Sequence, residues 1–129
     1  MTHPLIDRLS AELGWPYLNT ADDLTAFTMG EGVHALFIPG DPARNLESAD
    51  VAVILPELRM AFQGRFDCAV VGDAIETELR EATRVLKTPS LIFYRAGAVI
   101  GATRMSPPNM YWALSDGVMR YAPSIAGQS

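Results

Sequence analysis

The stretch Lys87-Thr88-Pro89-Ser90-Leu91-Ile92-Phe93-Tyr94-Arg95-Ala96-Gly97-Ala98-Val99-Ile100-Gly101 limits what this chain can fold into more than any other segment. It opens on a proline, runs through strand-forming apolar residues, turns at Arg95-Ala96-Gly97 and comes back as a second strand. Glycine in that three-residue loop can take the left-handed position. A hairpin here adds antiparallel strands to whatever comes before it. The preceding residues alternate helix-period and strand-period patterns, which argues for parallel strands joined by right-handed helical crossovers. The expected architecture is α/β: a central mixed sheet of four or five strands flanked by helices.

With 129 residues, 49% of them apolar, the chain can bury one core of ordinary size. We read one domain over 1–129, with an N-terminal helix at about 4–13 and a loose tail from about 122. No apolar run approaches the roughly 18 residues of a membrane span. Asp7 and Glu12 stand where a secretory leader would carry basic residues, so a cytoplasmic protein is expected. The single cysteine, Cys68, excludes an internal disulfide framework and agrees with a reducing compartment. Fifteen acidic against ten basic side chains give a net charge of −5, and no basic cluster stands out along the sequence. Nucleic acid is therefore not an expected ligand. The carboxylate excess suits a basic partner such as an arginine-bearing peptide, or serves solubility alone.

Leu5, Ile6, Leu9 and Leu13 fall at helical spacing, with Gly14 as a stop. Trp15-Pro16-Tyr17-Leu18 fits an edge strand, where proline is tolerated. Asn19 or Thr20 can cap a short helix with Asp22 and Asp23 in its first turn. His34-Ala35-Leu36-Phe37-Ile38 is a continuous apolar run cut off by Pro39-Gly40-Asp41-Pro42, as a central strand buried on both faces would be. Ser48 or Asp50 can cap a helix running to Phe62, with Val51, Ile54, Leu55, Leu58 and Phe62 on one side and Pro56 kinking it. Phe66 to Val71 is the next strand. A charged helix follows from Gly72-Asp73 to Leu86, and a last helix starts near Pro107-Pro108.

These residues resemble a known fold family. Phe62-Gln63-Gly64-Arg65-Phe66, the Thr88-Pro89-Ser90 step and the Phe93-Tyr94-Arg95-Ala96-Gly97 turn are similar to the corresponding parts of thioredoxins over about residues 16–120. Counting back from Gln63-Gly64, the positions of the thioredoxin cysteine pair fall at about Asn45, Leu46, Glu47 and Ser48, and neither end is a thiol. A narrower likeness lies in Pro39-Gly40-Asp41-Pro42-Ala43-Arg44, in Asp50-Val51-Ala52-Val53-Ile54-Leu55-Pro56-Glu57-Leu58 and in the Leu5-Ile6-Asp7-Arg8-Leu9 helix. With the missing cysteine pair, these resemble the hydrogenase expression/formation accessory proteins called HupG or HyaE. That resemblance implies a thioredoxin-like protein without redox activity. It further implies a chaperone for the small subunit of nickel-iron uptake hydrogenase, including its twin-arginine leader.

The resemblance also implies that Pro89 is cis and that the backbone of Thr88 stands open to pair with an extended client, with its side chain beside the groove. Asp41, Glu47, Asp50 and Glu57 fall in and after the loop at the end of the fold that is usually the active site. Facing that groove they would form an acidic mouth for paired arginines; otherwise they only complement a helix dipole. Pro39, Gly40, Pro42, Asn45 and Ser48 complete the expected partner-binding set. Cys68, mid-strand on the side of Phe66 and Val70, is expected to be buried and inert. His3 and His34 stand alone and support neither a triad nor a metal site. Gly30-Glu31-Gly32 precedes a strand, the reverse order of a phosphate-binding loop. The reading is a binding module, not an enzyme, with no cofactor and no metal. The alternatives are a single-cysteine thiol oxidoreductase and a structural subunit assembling through its edge strand.

Overall fold

A computed structural model describes residues 4–40, 47–61, 66–85 and 87–105, with Trp112, Ser115, Asp116 and Arg120. The expected last helix and the Phe62 to Arg65 turn lie outside these, apart from those four positions. Between residues 4 and 105 the described elements are α1 (Pro4–Ala11), β1 (Tyr17–Leu18), α2 (Ala21–Thr28), β2 (Val33–Ile38), α3 (Glu47–Ala61), β3 (Phe66–Val71), α4 (Asp73–Thr83), β4 (Ser90–Arg95) and β5 (Ala98–Arg104). The strands form one sheet in the order β1-β3-β2-β4-β5. β1, β2 and β3 are parallel, while β4 and β5 run antiparallel. The run His34 to Ile38 is indeed the central strand, and every residue of β2 is buried.

Strand alternation sends side chains to two cores. On one face Ile6 and Leu9 of α1 and Val51, Ala52 and Leu55 of α3 cover Ala35, Phe37, Phe66, Cys68, Val70, Leu91 and Phe93. On the other, Leu24 and Phe27 of α2 and Ile75 and Leu79 of α4 cover Leu36, Ile38, Ala69, Val71, Ile92 and Tyr94. Cys68 is 4% exposed and sits with Phe66 and Val70, as alternation requires.

Local chemistry sets the element ends. Thr20 caps α2 by accepting from the Asp23 N–H at 3.0 Å, while Asp23 accepts from the Thr20 N–H at 3.2 Å, so two otherwise unpaired donors are satisfied reciprocally. The helix expected to reach Leu86 stops at Thr83, because Arg84 takes a left-handed conformation (φ 60°) and its N–H bonds the Arg80 carbonyl. α3 already contains Glu47, so Ser48 and Asp50 lie in its first turn and do not cap it. Pro56 is inside that helix. The β4–β5 loop is shorter than expected: only Ala96 (φ 52°) and Gly97 (φ 78°) separate the strands, both at the positive φ that a twist-matched two-residue hairpin needs.

Gly72 joins β3 to α4 and lies against the end of β1. Its N–H donates to the Leu18 carbonyl at 2.8 Å. A Cβ there would stand 2.6 Å from Asn19 Oδ1, 2.8 Å from Tyr17 Cε1 and 3.0 Å from the Leu18 carbonyl oxygen. Gly72→Ala must push β1 off the sheet edge or shift α4, and we expect a loss of about 1–3 kcal/mol in urea unfolding. An unchanged midpoint would show that β1 contributes little.

Burial raises the Tyr94 hydroxyl above its ordinary value of 10.0, and burial, with the charges of Asp7 and Glu76, raises Tyr17. The folded chain therefore holds protons that the unfolded chain begins to lose near 10.0. The stability carried by the neutral phenols is whole below that pH and is lost as pH climbs through the folded values. The two phenols should leave the urea midpoint unaffected from neutral pH to 10.0 and lower it above that, and Tyr94→Phe should remove part of the fall. A fall just as steep in the variant would assign it elsewhere.

Candidate functional site

The C-terminal end of β2 meets the start of β4 and the end of β5: Ile38 pairs with Ser90, and Ser90 with Arg104. Continuing that register one step brings Pro39 beside Pro89. The Thr88–Pro89 bond is cis, and the Pro89 carbonyl accepts from the Met105 N–H at 2.8 Å. Ser48 donates its hydroxyl to the Pro39 carbonyl, which ties the first turn of α3 to the end of the central strand. Gly40 follows at φ +75°, a conformation that favours glycine.

This geometry revises the expected site. Pro39, Gly40, Ser48, Thr88 and Pro89 are all buried, Ser48 completely. They build the end of the sheet, and they expose little surface. The Ser48 hydroxyl is used internally. Thr88 is 8% exposed and makes a contact of its own within the chain. Asp41, Pro42 and Asn45, and the side chain of Glu47, lie outside the described residues.

Asp50 and Glu57 are exposed. The buried stripe of α3 is Ser48, Val51, Ala52 and Leu55, and at 100° per residue Asp50 and Glu57 fall on the opposite stripe, about 10 Å apart along the axis. They point away from the sheet and do not converge on Pro89, so these two form an acidic stripe and not a mouth. Sequence reasoning passed over their neighbours. Val53 is 39% and Met60 74% exposed, and they occupy the same stripe in the order Asp50, Val53, Glu57, Met60. Their absence from the 3.6-residue core pattern was the available signal.

A cavity of about 350 Å³ opens at the other end of the sheet, among Leu13, Trp15, Phe27, Asp67 and Cys68. Beside it His34, which looked isolated in the sequence, faces Asp67 across the β2–β3 register, Nδ1 3.7 Å from Oδ2. Its Nε2 donates to the Gly30 carbonyl at 3.0 Å. An imidazole held this way secures the loop before β2.

A parallel β1-β3-β2 unit, an antiparallel β4-β5 hairpin and a cis-proline at the head of β4 define a thioredoxin-like domain. Here the positions of the usual thiol pair hold no cysteine. Solved thioredoxins agree on the fold. A mutant thioredoxin from Halobacterium salinarum superposes with a TM-score of 0.67 at 16% identity over 85% of this chain and 92% of its own. Oxidised thioredoxin from Plasmodium falciparum gives 0.63 at 12% identity over 84% and 98%.

The family follows from sequence similarity. Residues 5–107 match the model described as hydrogenase-1 expression protein HyaE. The chain is 66% identical over 100 residues to the hydrogenase expression/formation protein HupG of Rhodobacter capsulatus, covering 78% of this chain and 72% of that one. It is 41% identical over 101 residues to the hydrogenase expression/formation protein HoxO of Azotobacter vinelandii, covering 78% and 67%. The chain belongs to the HyaE family of hydrogenase expression/formation proteins. Among the described residues no helix is long and apolar enough to cross a membrane.

Proposed function

We propose that this chain is a non-catalytic chaperone of nickel-iron uptake hydrogenase maturation, acting in the cytoplasm, that holds the immature small subunit by its twin-arginine leader. The carrying observation is the outer stripe of α3, where exposed carboxylates alternate with exposed apolar side chains. An arginine meets both halves of that pattern. Its aliphatic stem lies on Val53 or Met60 while its guanidinium reaches Asp50 or Glu57. The names of the relatives supply the hydrogenase context. A lone cysteine at 4% exposure suits binding better than thiol turnover.

The test is fluorescence anisotropy with a labelled leader peptide carrying paired arginines, against the same peptide with both arginines replaced by glutamine. The expected result is saturable binding of the first, weakening as salt rises, and little of the second. Cys68→Ser should bind as well as the parent, and Cys68 should resist alkylation in the folded protein. Equal affinity for both peptides would end the arginine reading, and rapid alkylation with dithiol turnover would favour the oxidoreductase.

A further inference from the structure

No run of basic residues stands out along the sequence, yet the fold gathers three of the ten around one groove. Arg84 comes from the C-cap of α4, Lys87 from the turn before β4 and Arg104 from the end of β5. Together with Val85 and Ala102 they line a solvent-open groove of about 300 Å³. Among the described residues no carboxylate pairs with Arg84 or Lys87, while Arg104 is engaged within the chain. Arg84 and Lys87, two exposed cations around one space in a chain of net charge −5, make a local field opposite in sign to the whole. Complementing the α4 dipole would account for Arg84, but it does not account for Lys87, which lies beyond that helix in the turn before β4.

The groove runs onto an open sheet edge. β5 is the outermost strand, with β4 its one strand partner among the described residues. Residues opposite one another on paired strands share a face, so Val99 opposite Tyr94, Ala102 opposite Ile92 and Arg104 opposite Ser90 all lie on the α2/α4 face. Val99 is 45% exposed, and Ala102 and Arg104 are also exposed. The second edge strand, β1, has only two residues. A small free anion would use the cations alone. A polypeptide can use the cations, the apolar positions and the outer edge of β5, which has no second strand partner among the described residues, together.

We propose that this groove takes an extended acidic segment of a partner polypeptide, its backbone paired on the outer edge of β5 and one carboxylate side chain seated between Arg84 and Lys87. The surface is independent of the acidic stripe on α3 and of opposite charge. A charge-assisted contact from an arginine fork or an ammonium gives the seated carboxylate its selectivity over an amide.

The probe is a synthetic peptide of alternating glutamate and valine, titrated into the isotopically labelled full chain and followed by amide shifts. A lysine-valine peptide and inorganic phosphate serve as separate arms. The expected result is saturable binding of the glutamate peptide with the largest shifts from Val99 to Arg104. Arg84→Glu or Lys87→Glu should each weaken it about tenfold, the scale of one charge-assisted contact. Arg95→Glu, an equal change of net charge at the far end of β4, should leave it within about twofold. Arg84 holds a left-handed backbone, so Lys87→Glu gives the reading that does not depend on that cap. The proposal is overturned if the glutamate peptide gives no saturable shifts on β5, or if the lysine peptide binds equally well. It is overturned too if phosphate alone reproduces the whole shift pattern, or if Arg95→Glu weakens binding as much as Lys87→Glu.

Discussion

Phe93→Ala will remove about 4 kcal/mol of stability, close to the upper range for truncating a core aromatic. Phe93 is fully buried, packs edge-to-face on Phe66 with ring centroids 5.9 Å apart, and lies between Ala35 on β2 and Gly101 on β5. Those two small neighbours make the ring hard to replace. A cavity closes only when adjacent side chains can lean into it, and neither a methyl nor a hydrogen can do so. The position also belongs to the strand that joins the parallel half of the sheet to the hairpin. Against a total of roughly 5–15 kcal/mol for a domain, the loss should lower the urea midpoint by a quarter or more and the thermal midpoint by about 15 °C. Phe93→Leu, which keeps most of the volume, should cost under half as much. Combined with Phe66→Leu it should show a coupling of about 0.5–1.5 kcal/mol from the lost ring pair. A loss below about 1 kcal/mol for the alanine variant would mean that the two cores are not packed as described.

The fold is legible in the sequence because its signals are local and repeated. Pro39-Gly40 ends an apolar run, Thr20 stands three residues before Asp23, and Gly97 marks the hairpin. Each is a chemical instruction carried by a few adjacent residues. The site is harder to read because its residues meet only through register. Nothing local in Ser48 distinguishes a helix cap from a hydroxyl donating to the Pro39 carbonyl nine residues earlier. Nor does the sequence show that His34 faces Asp67, or that Arg84 and Lys87 lie near Arg104. The Arg84 turn escapes notice for a different reason. A left-handed arginine carries no glycine or asparagine to announce it, so the helix pattern runs on into Val85, an apolar residue that does pack on the core.

The two charged surfaces share one end of the sheet but not one face. α3 holds Asp50 and Glu57 above the layer of Ala35 and Phe93, whereas Arg84, Lys87 and Arg104 lie on the side of Ile92 and Tyr94. In ordinary thioredoxins this end carries the thiol chemistry. Here Ser48 donates its hydroxyl to the Pro39 carbonyl, within the chain.

Reversing both acids, Asp50→Lys with Glu57→Lys, should abolish measurable binding of a leader with paired arginines. Each carboxylate can give one charge-assisted contact to a guanidinium, so each reversal should cost about tenfold. At about 10 Å apart along the helix the two effects should combine to about a hundredfold or more. Each reversal adds two charges, so the pair takes the net charge from −5 to −1, and a general loss of attraction has to be separated from a local one. Glu78→Lys with Glu81→Lys makes that separation. Both residues are exposed on α4, and their reversal gives the same net charge on another face. At physiological salt it should change affinity less than about threefold, because charges beyond a Debye length of about 8 Å are screened. Lysine is a good helix former, so the α3 variant should keep its circular dichroism apart from a penalty of about 0.3–1 kcal/mol for a cation in the first turn. Equal losses in the two double variants would assign the attraction to overall charge, and an undiminished affinity in the α3 variant would remove the stripe from recognition altogether.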